Sequence, residues 1–396
     1  MLVPRKYVQL LSFVFFFSSL YVYCKTASNP YRLAVPLAHV VGLSNHADAD
    51  VPGPANSTLG FGAVYAVSAT DSPRRARLIQ AANVTEIDLT IPTLPQWTED
   101  DETRFRDGLK EQDRGAGHGS IMAWFSHIHI LNLNRFLESG LETALILEDD
   151  VDWDIRLRTV QVPQIAAATR TLFRSASASE YYGNSSAWDL LWLGHCGDWF
   201  QTIDKGIGPG HHFPSNLTAL DHKIFRDSTL PDRPDLHPYT KSFLDALEIP
   251  EKSRVVHRSR LPLCTFGYAI TRSSARWIIE DLASVQSPPD PAYDMAVMHG
   301  CRRRGMRCYT VNPEVFHHVM GDSLIAVADA KEEVHLPPVD AEALAQSRSR
   351  KETSNIDCGF WSGDFDFQDE QRLSMLREEV GRKGQCLKPD RYQVPT

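Results

Sequence analysis

The 396-residue chain has no long block of basic residues, no Cys-x-x-Cys pair, no internal repeat and no low-complexity tract. The first absence, with a net charge of −9 and Arg302-Arg303-Arg304 as the densest basic patch, argues against nucleic acid as the main partner, because nothing follows a phosphate backbone. The second makes a structural zinc site a poor reading of the cysteines. What remains is ordinary globular material: 42% hydrophobic and 23% charged, in a chain long enough for one large domain or two smaller ones. Cys196, Cys264, Cys301, Cys308, Cys358 and Cys386 are an even set compatible with disulfides in an oxidising compartment. Cys301 and Cys308 bracket a short basic turn and form the expected local pair.

At the N-terminus, Arg5 and Lys6 precede the uncharged stretch Tyr7 to Cys24, which lacks a clear small-x-small cleavage site. Its length is near the minimum for a membrane span, and the flanking cations place the tip in the cytosol. Residues 1–24 therefore read as a signal anchor, with one transmembrane helix and the remainder luminal. That makes a single-pass type II protein of the Golgi or ER membrane; a cleaved signal and a secreted form are the alternative. Glycosylation acceptor triplets at Asn56, Asn83, Asn184 and Asn216 agree with that compartment. Residues 25–59, rich in Asn, Ala, Pro and Ser, read as a stem; 60–330 as the catalytic domain; 331–396 as a C-terminal extension.

The pattern that organises the chain is Thr143-Ala-Leu-Ile-Leu-Glu148-Asp149-Asp150-Val151-Asp152-Trp153-Asp154. A continuous aliphatic run predicts a strand buried on both faces, ending in carboxylates at the edge where open α/β sheets bind ligands. Carboxylates this dense repel one another unless a cation or hydrogen-bond donors neutralise them. An i, i+2 pair just after a strand can flank one Mn²⁺ or Mg²⁺, which takes oxygen ligands. Of Glu148-x-Asp150, Asp152-x-Asp154 and Asp364-x-Asp366, the first directly ends the buried strand and is the expected metal pair. His317 and His318, past a later short strand, are further candidate ligands, a surface histidine pair being the alternative.

Around this strand, Phe61 to Ser68 predicts a first buried strand, and Ser72-Pro73 a helix start whose Arg74, Arg75 and Arg77 would reinforce an anion site, an exposed basic helix face being the alternative. Val84 to Leu89 reads as a second strand. Gly115, Gly117 and Gly119 lead into a helix with the apolar face Ile121, Trp124, Phe125, Ile128 and Leu131, in which Ser126 and His127 stand out. Val160 to Leu172 reads as helix, Trp188 to Gly194 as strand, Leu263 to Ile270 as strand, Met295 to His299 as helix and Met306 to Val311 as strand. Gly197 to Leu261 is weakly periodic and reads as a long functional loop or disorder. The alternation predicts an α/β fold with a mostly parallel sheet and helices on both faces.

In order, the Val64 to Leu78 segment with its Arg-Arg helix start, the Gly-rich turn to Ser126-His127, Leu145 to Val151, Trp188 to Gly194, Gly267 to Ser273, Pro291-x-x-Asp294 and Asn312-Pro-Glu-Val together resemble glycosyltransferase family 25. That family includes bacterial lipooligosaccharide and procollagen galactosyltransferases. The resemblance implies a Rossmann-like glycosyltransferase fold of the A type and an inverting transfer, commonly from UDP-galactose, to a glycan or glycoprotein acceptor. On this reading Glu148 and Asp150, with His317 and His318, hold the metal; Ser68, Arg74, Arg75, Ser126 and His127 bind the nucleotide sugar; Asp294 is the general base, and Asp149 serves near the sugar or acceptor. The family's Pro-x-Asp spacing is loosened here to Pro291-Ala-Tyr-Asp294. A metal-dependent phosphoesterase and a carbohydrate-binding relative without turnover are the competing classes.

Overall fold

The computed structural model describes residues 51–174, 180–198, 220–319 and 349–389, together with Leu217, Glu342, Ala345 and Arg391, and the side chains of residues 133 and 134 excepted. In chain order its main elements are β1 (Ala63–Val67), α1 (Arg75–Thr85), β2 (Leu89–Thr90), α2 (Glu99–Gly108), α3 (His118–Leu131), β3 (Thr143–Glu148), β4 (Val151–Trp153), α4 (Val162–Phe173), β5 (Leu190–Gly194) and β6 (Gly197–Asp198). They continue with β7 (His222–Arg226), α5 (Pro238–Ala246), β8 (Ser253–Arg258), β9 (Pro262–Leu263), β10 (Gly267–Thr271), α6 (Arg272–Trp277), α7 (Tyr293–Arg303), β11 (Cys308–Asn312), β12 (Phe316–His318) and α8 (Glu370–Leu376).

Eight strands form one mixed sheet in the order β2-β1-β3-β10-β5-β11-β8-β7. Six of them run in one direction, and β10 and β8 oppose them. The uninterrupted aliphatic runs are what this architecture needs, because both faces are covered. In β3, Leu145 and Leu147 face one core and Ala144 and Ile146 the other; β5 divides Leu191 and Leu193 from Leu190 and Trp192 in the same way. The first core adds Leu78 and Ala81 of α1, Ile165 and Ala166 of α4, and Leu373 and Leu376 of α8. The second adds Ile121 and Trp124 of α3, Ala275 of α6 and Val297 of α7. The result is a three-layer α/β domain with helices on both faces.

Several boundaries differ from expectation for identifiable reasons. Val84 and Thr85 complete α1 instead of opening a strand, and the helix stops at Glu86, whose left-handed backbone (φ 55°) turns the chain into a two-residue β2. The presumed stem before Gly60 already joins the core: Ala55 and Leu59 are buried, and Arg158 Nη1 donates to the Ala55 carbonyl at 3.1 Å. Within the expected 197–261 loop, β7 and β8 extend the main sheet at its far edge; the rest of the described part includes α5. Their charged ends, as in Ser253-Arg-Val-Val-His-Arg258, hide the short apolar core from a periodicity reading. Residues 352–388 are closed on themselves by a Cys358–Cys386 disulfide and by Lys388 Nζ, which donates to Glu352 at 2.6 Å in a buried pair. They are fastened to the domain by the Thr353, Cys358 and Phe360 donors to Asp152 and Asp154 and by Leu373 and Leu376 in the core. The expected 330/331 boundary lies outside the described residues.

The disulfide Cys301–Cys308 is present as expected, closing the turn between α7 and β11, and Cys196–Cys264 joins the ends of β6 and β9. The membrane partnership and the type II Golgi or ER placement are corrected. Among the described residues no helix is long and apolar enough to cross a membrane. The segment 1–24 on which both rested lies outside the described residues.

Candidate functional site

The chain leaves β1 for β2 on one side and then returns through α3 to place β3 on β1's other side. Strand order therefore reverses at the β1–β3 pair, and the two connections diverge above its carboxyl ends. Such a switch point opens a crevice in α/β sheets. The register Val67↔Glu148 brings the last residues of both strands level, so that Ser68 and the Glu148-Asp149-Asp150 turn share that crevice. Ser68 Oγ donates to Asp149 Oδ2 at 2.7 Å. From the residue capping α1, Arg74 Nη1 reaches Asp150 Oδ2 at 3.3 Å. Arg74 thus adds a cation to the positive end of the α1 dipole.

Asp150 is the strained member of the cluster. Its side chain is 22% exposed, and Oδ1 is buried without a hydrogen-bond partner. Burial, helped by the negative charges of Glu148 and Asp149 and opposed by Arg74, pushes its carboxyl up to about 7. A carboxylate with one orphaned oxygen in a field of like charge is suited to a cation, so the residues fit Mn²⁺ or Mg²⁺. Among the described residues no three His, Cys, Asp or Glu side chains are grouped to hold a metal. The protein's share would then be one or two carboxylates, leaving the other positions to phosphate oxygens and water, a common arrangement for Mg²⁺.

Glu148 faces the opposite way, into a buried polar chain. Its Oε1 accepts from Thr265 Oγ1 at 2.8 Å and lies 3.3 Å from His127 Nε2, while His127 Nδ1 is 3.1 Å from the Tyr268 hydroxyl. Tyr268 and Tyr293 hydroxyls meet at 3.1 Å, and the Tyr293 ring stacks on His127 at 4.6 Å with 7° between planes. Burial alone would raise the Glu148 carboxyl, but the His127 and Thr265 contacts outweigh it and hold the group below its ordinary value. Burial raises both tyrosines, which stay neutral. His127 is thus tied into the site by both ring nitrogens.

Asp294 opens α7, where Oδ2 accepts from Cys264 N at 3.0 Å and Oδ1 from Met295 N at 2.8 Å. Burial raises its carboxyl above the ordinary value despite these bonds, with the Glu148 charge adding to the rise and His127 opposing it. Both backbone contacts leave lone pairs available, and a raised affinity for protons suits a general base.

The remaining candidates are less well placed. Ser126 Oγ donates to the Met122 carbonyl at 2.7 Å, the back-bond of a hydroxyl inside a helix. Arg75 forms no ion pair with the acidic turn among the described residues. His317 Nδ1 contacts Glu314 Oε1, which also accepts from Asn355 Nδ2 at 2.7 Å; although burial opposes it, this pairing lowers the Glu314 carboxyl to about 2. His318 is exposed beside it, its ring 4.9 Å from that of His317, and its backbone pairs with Val151 next to Asp150.

Asp152 and Asp154 are wholly engaged elsewhere. Asp152 accepts from Thr353 Oγ1 at 2.6 Å, Phe360 N at 2.7 Å, Trp153 N at 2.9 Å and Trp361 N at 3.2 Å. Asp154 takes a two-pronged Arg156 contact, 2.7 Å on each arm, and the Cys358 N–H at 3.0 Å. Sequence reasoning assigned no role to Thr265, Tyr268, Tyr293 or Trp361. Hydroxyls in otherwise apolar segments were the signal for Thr265 and Tyr268; Trp361 stands in the aromatic and acidic run Phe360 to Asp366, whose place beside the strand ends no local pattern gives. No protein-family model matches this chain, and no curated protein matches it either.

Proposed function

We propose that the chain is a glycosyltransferase of the family 25 type, with a Rossmann-like A-type fold, moving a sugar from a nucleotide donor to a glycan or glycoprotein acceptor. Galactose from UDP-galactose, transferred with inversion, is the form the sequence resemblance implies. The observation that carries the reading is Asp150: a carboxyl raised to about 7, one oxygen orphaned, at a strand-end crevice beside Arg74. That combination suits a diphosphate and its counter-cation better than a plain solvated loop, where both oxygens would meet water.

In this reading Arg74 and the first turn of α1 take the diphosphate charge, and Ser68 keeps Asp149 oriented toward the sugar side. When bound, Mn²⁺ or Mg²⁺ would supply charge stabilisation for the departing diphosphate, held by Asp150 with Glu148 near it. Asp294 takes the proton of the acceptor hydroxyl as it attacks the anomeric carbon, for which its raised proton affinity is suited. His127, Tyr268 and Tyr293 fix Glu148 and keep bulk water from the floor of the site.

The test is sugar transfer and nucleotide release from a panel of UDP- and GDP-sugars with Mn²⁺, for the wild type and Asp150→Ala. Turnover by the wild type that disappears in a folded variant is expected. Unchanged turnover in the variant sinks the Asp150 assignment, cleavage of phosphoesters without transfer points to a phosphoesterase, and binding without turnover to a lectin-like relative.

A further inference from the structure

Next to Asp149 and Arg74 lies a cleft of about 230 Å³ whose far wall is Phe360 and Trp361. These two residues come from more than 200 positions along the chain, as their contacts with Asp152 record. The wall is built, not incidental. Asp152, buried at 2% exposure, accepts the Phe360 and Trp361 N–H groups, and Asp154, fully buried, accepts that of Cys358. Gly359 makes this approach possible: a Cβ there would sit 2.2 Å from Asp152 Oδ2. From the α1 side, Arg77 Nη1 donates to the Trp361 carbonyl. The Cys358–Cys386 disulfide and the packing of Phe360 on Phe365 (ring centroids 5.4 Å apart) hold the segment from behind.

The backbone of Trp361 is therefore pinned at its N–H and its carbonyl, while its side chain lines the cleft and remains partly exposed. Trp361, Arg74 and Arg77 line this one cleft, so an aromatic side chain and two cations are available to the same occupant. The volume is below the ~300–1,000 Å³ of sites that enclose whole drug-sized ligands, so it takes one part of a larger molecule. A nucleoside diphosphate has the matching parts, a planar base joined to a polyanion.

We propose that the segment Cys358 to Asp366 is a wall of the donor site and that the Trp361 indole is the platform on which the base of the nucleotide donor stacks. This rests on the nucleotide-sugar reading above and adds to it the residue that grips the base. Asp152 and Asp154 then have a functional consequence without touching the donor: they hold the platform in place.

The experiment is calorimetric titration of the full chain with UDP and, separately, with inorganic pyrophosphate, both with Mn²⁺. Trp361→Ala is expected to weaken UDP binding roughly 5- to 150-fold, the range of base–aromatic stacking, and to leave pyrophosphate binding unchanged. Trp361→Phe, which keeps a π-face, retains UDP affinity, and Trp361→Leu, which keeps bulk without one, loses it. UDP binding that survives in both the Ala and Leu variants overturns the platform while leaving the donor reading intact. Equal loss of UDP and pyrophosphate binding in Leu and Phe alike also overturns it, assigning Trp361 a purely structural part. Wild-type protein that binds neither ligand refutes the nucleotide-sugar reading itself.

Discussion

Two pairs of carboxylates lie within seven residues of one another and have opposite fates. Glu148 and Asp150 flank the end of β3 at a crevice, and Asp150 keeps one oxygen buried and unpartnered. Asp152 and Asp154, in and after β4, are more deeply buried, yet the donors of 353–361 and Arg156 surround them. Burial alone does not mark a functional acid. What separates Asp150 from Asp152 and Asp154 is whether the fold completes the hydrogen bonding, because an uncompleted buried carboxylate costs folding free energy and can be retained for a ligand. Asp152 and Asp154 position a chain segment and Glu148 is tied to Thr265 and His127, whereas Asp150 is left to meet something else.

Breaking the completed pair has the largest expected effect. Asp154→Ala removes both arms of the Arg156 contact and the acceptor for Cys358 N, and should destabilise the domain by about 3–5 kcal/mol, read from denaturant unfolding. A loss below about 1 kcal/mol would contradict the positioning role, since surface changes stay within such limits.

On the uncompleted side the sign reverses. Asp150→Asn should reduce transfer at least about 100-fold, the order seen when one charge-stabilising contact is removed, without destabilising the fold. The folded-state carboxyl is raised from 3.8 to about 7. The wild type therefore gains stability from the protonated group below pH 3.8 and loses it as pH rises through about 7. The Asn variant has no such loss, so it should be the more stable protein at about pH 8, with the difference closing toward about pH 4. Unfolding curves at the two pH values check this, and a variant less stable than wild type at the higher pH would contradict it.

The smallest effect sharpens the comparison at the cation side. Arg75→Ala should change stability by no more than about 0.5 kcal/mol and leave UDP affinity intact, whereas Arg74→Ala, which removes the partner of Asp150, should weaken UDP binding. Equal weakening by both, measured by titration, would mean that the whole basic face of α1 acts as one field.

Much of the fold was legible because its signal is local. β1, β3, β5, β10 and β11 are short, uncharged segments apart from the last residue of β3, mostly apolar in β1, β3 and β5, and strands covered on both faces are recognised by such composition. β7 and β8 were not, since their ends are polar and their place comes from pairing, β8 with β11 and β7 with β8. Of the site, the acidic turn and Arg74 were legible from position relative to strand and helix ends. Ser126 was misleading, because adjacency to His127 in sequence puts the two on different helix faces.

By itself the sequence determined where the buried strands run and that carboxylates crowd the end of β3, since hydrophobic runs and charge spacing are properties of neighbouring residues. Only the tertiary structure decided which of those carboxylates would be satisfied. The donors that complete Asp152 come from Thr353, Phe360 and Trp361, and the Tyr268 and Tyr293 chain beneath Glu148 is assembled by β10 and α7. Hydrogen bonds act over about 3 Å in space whatever the separation along the chain, so their completion is a property of the fold.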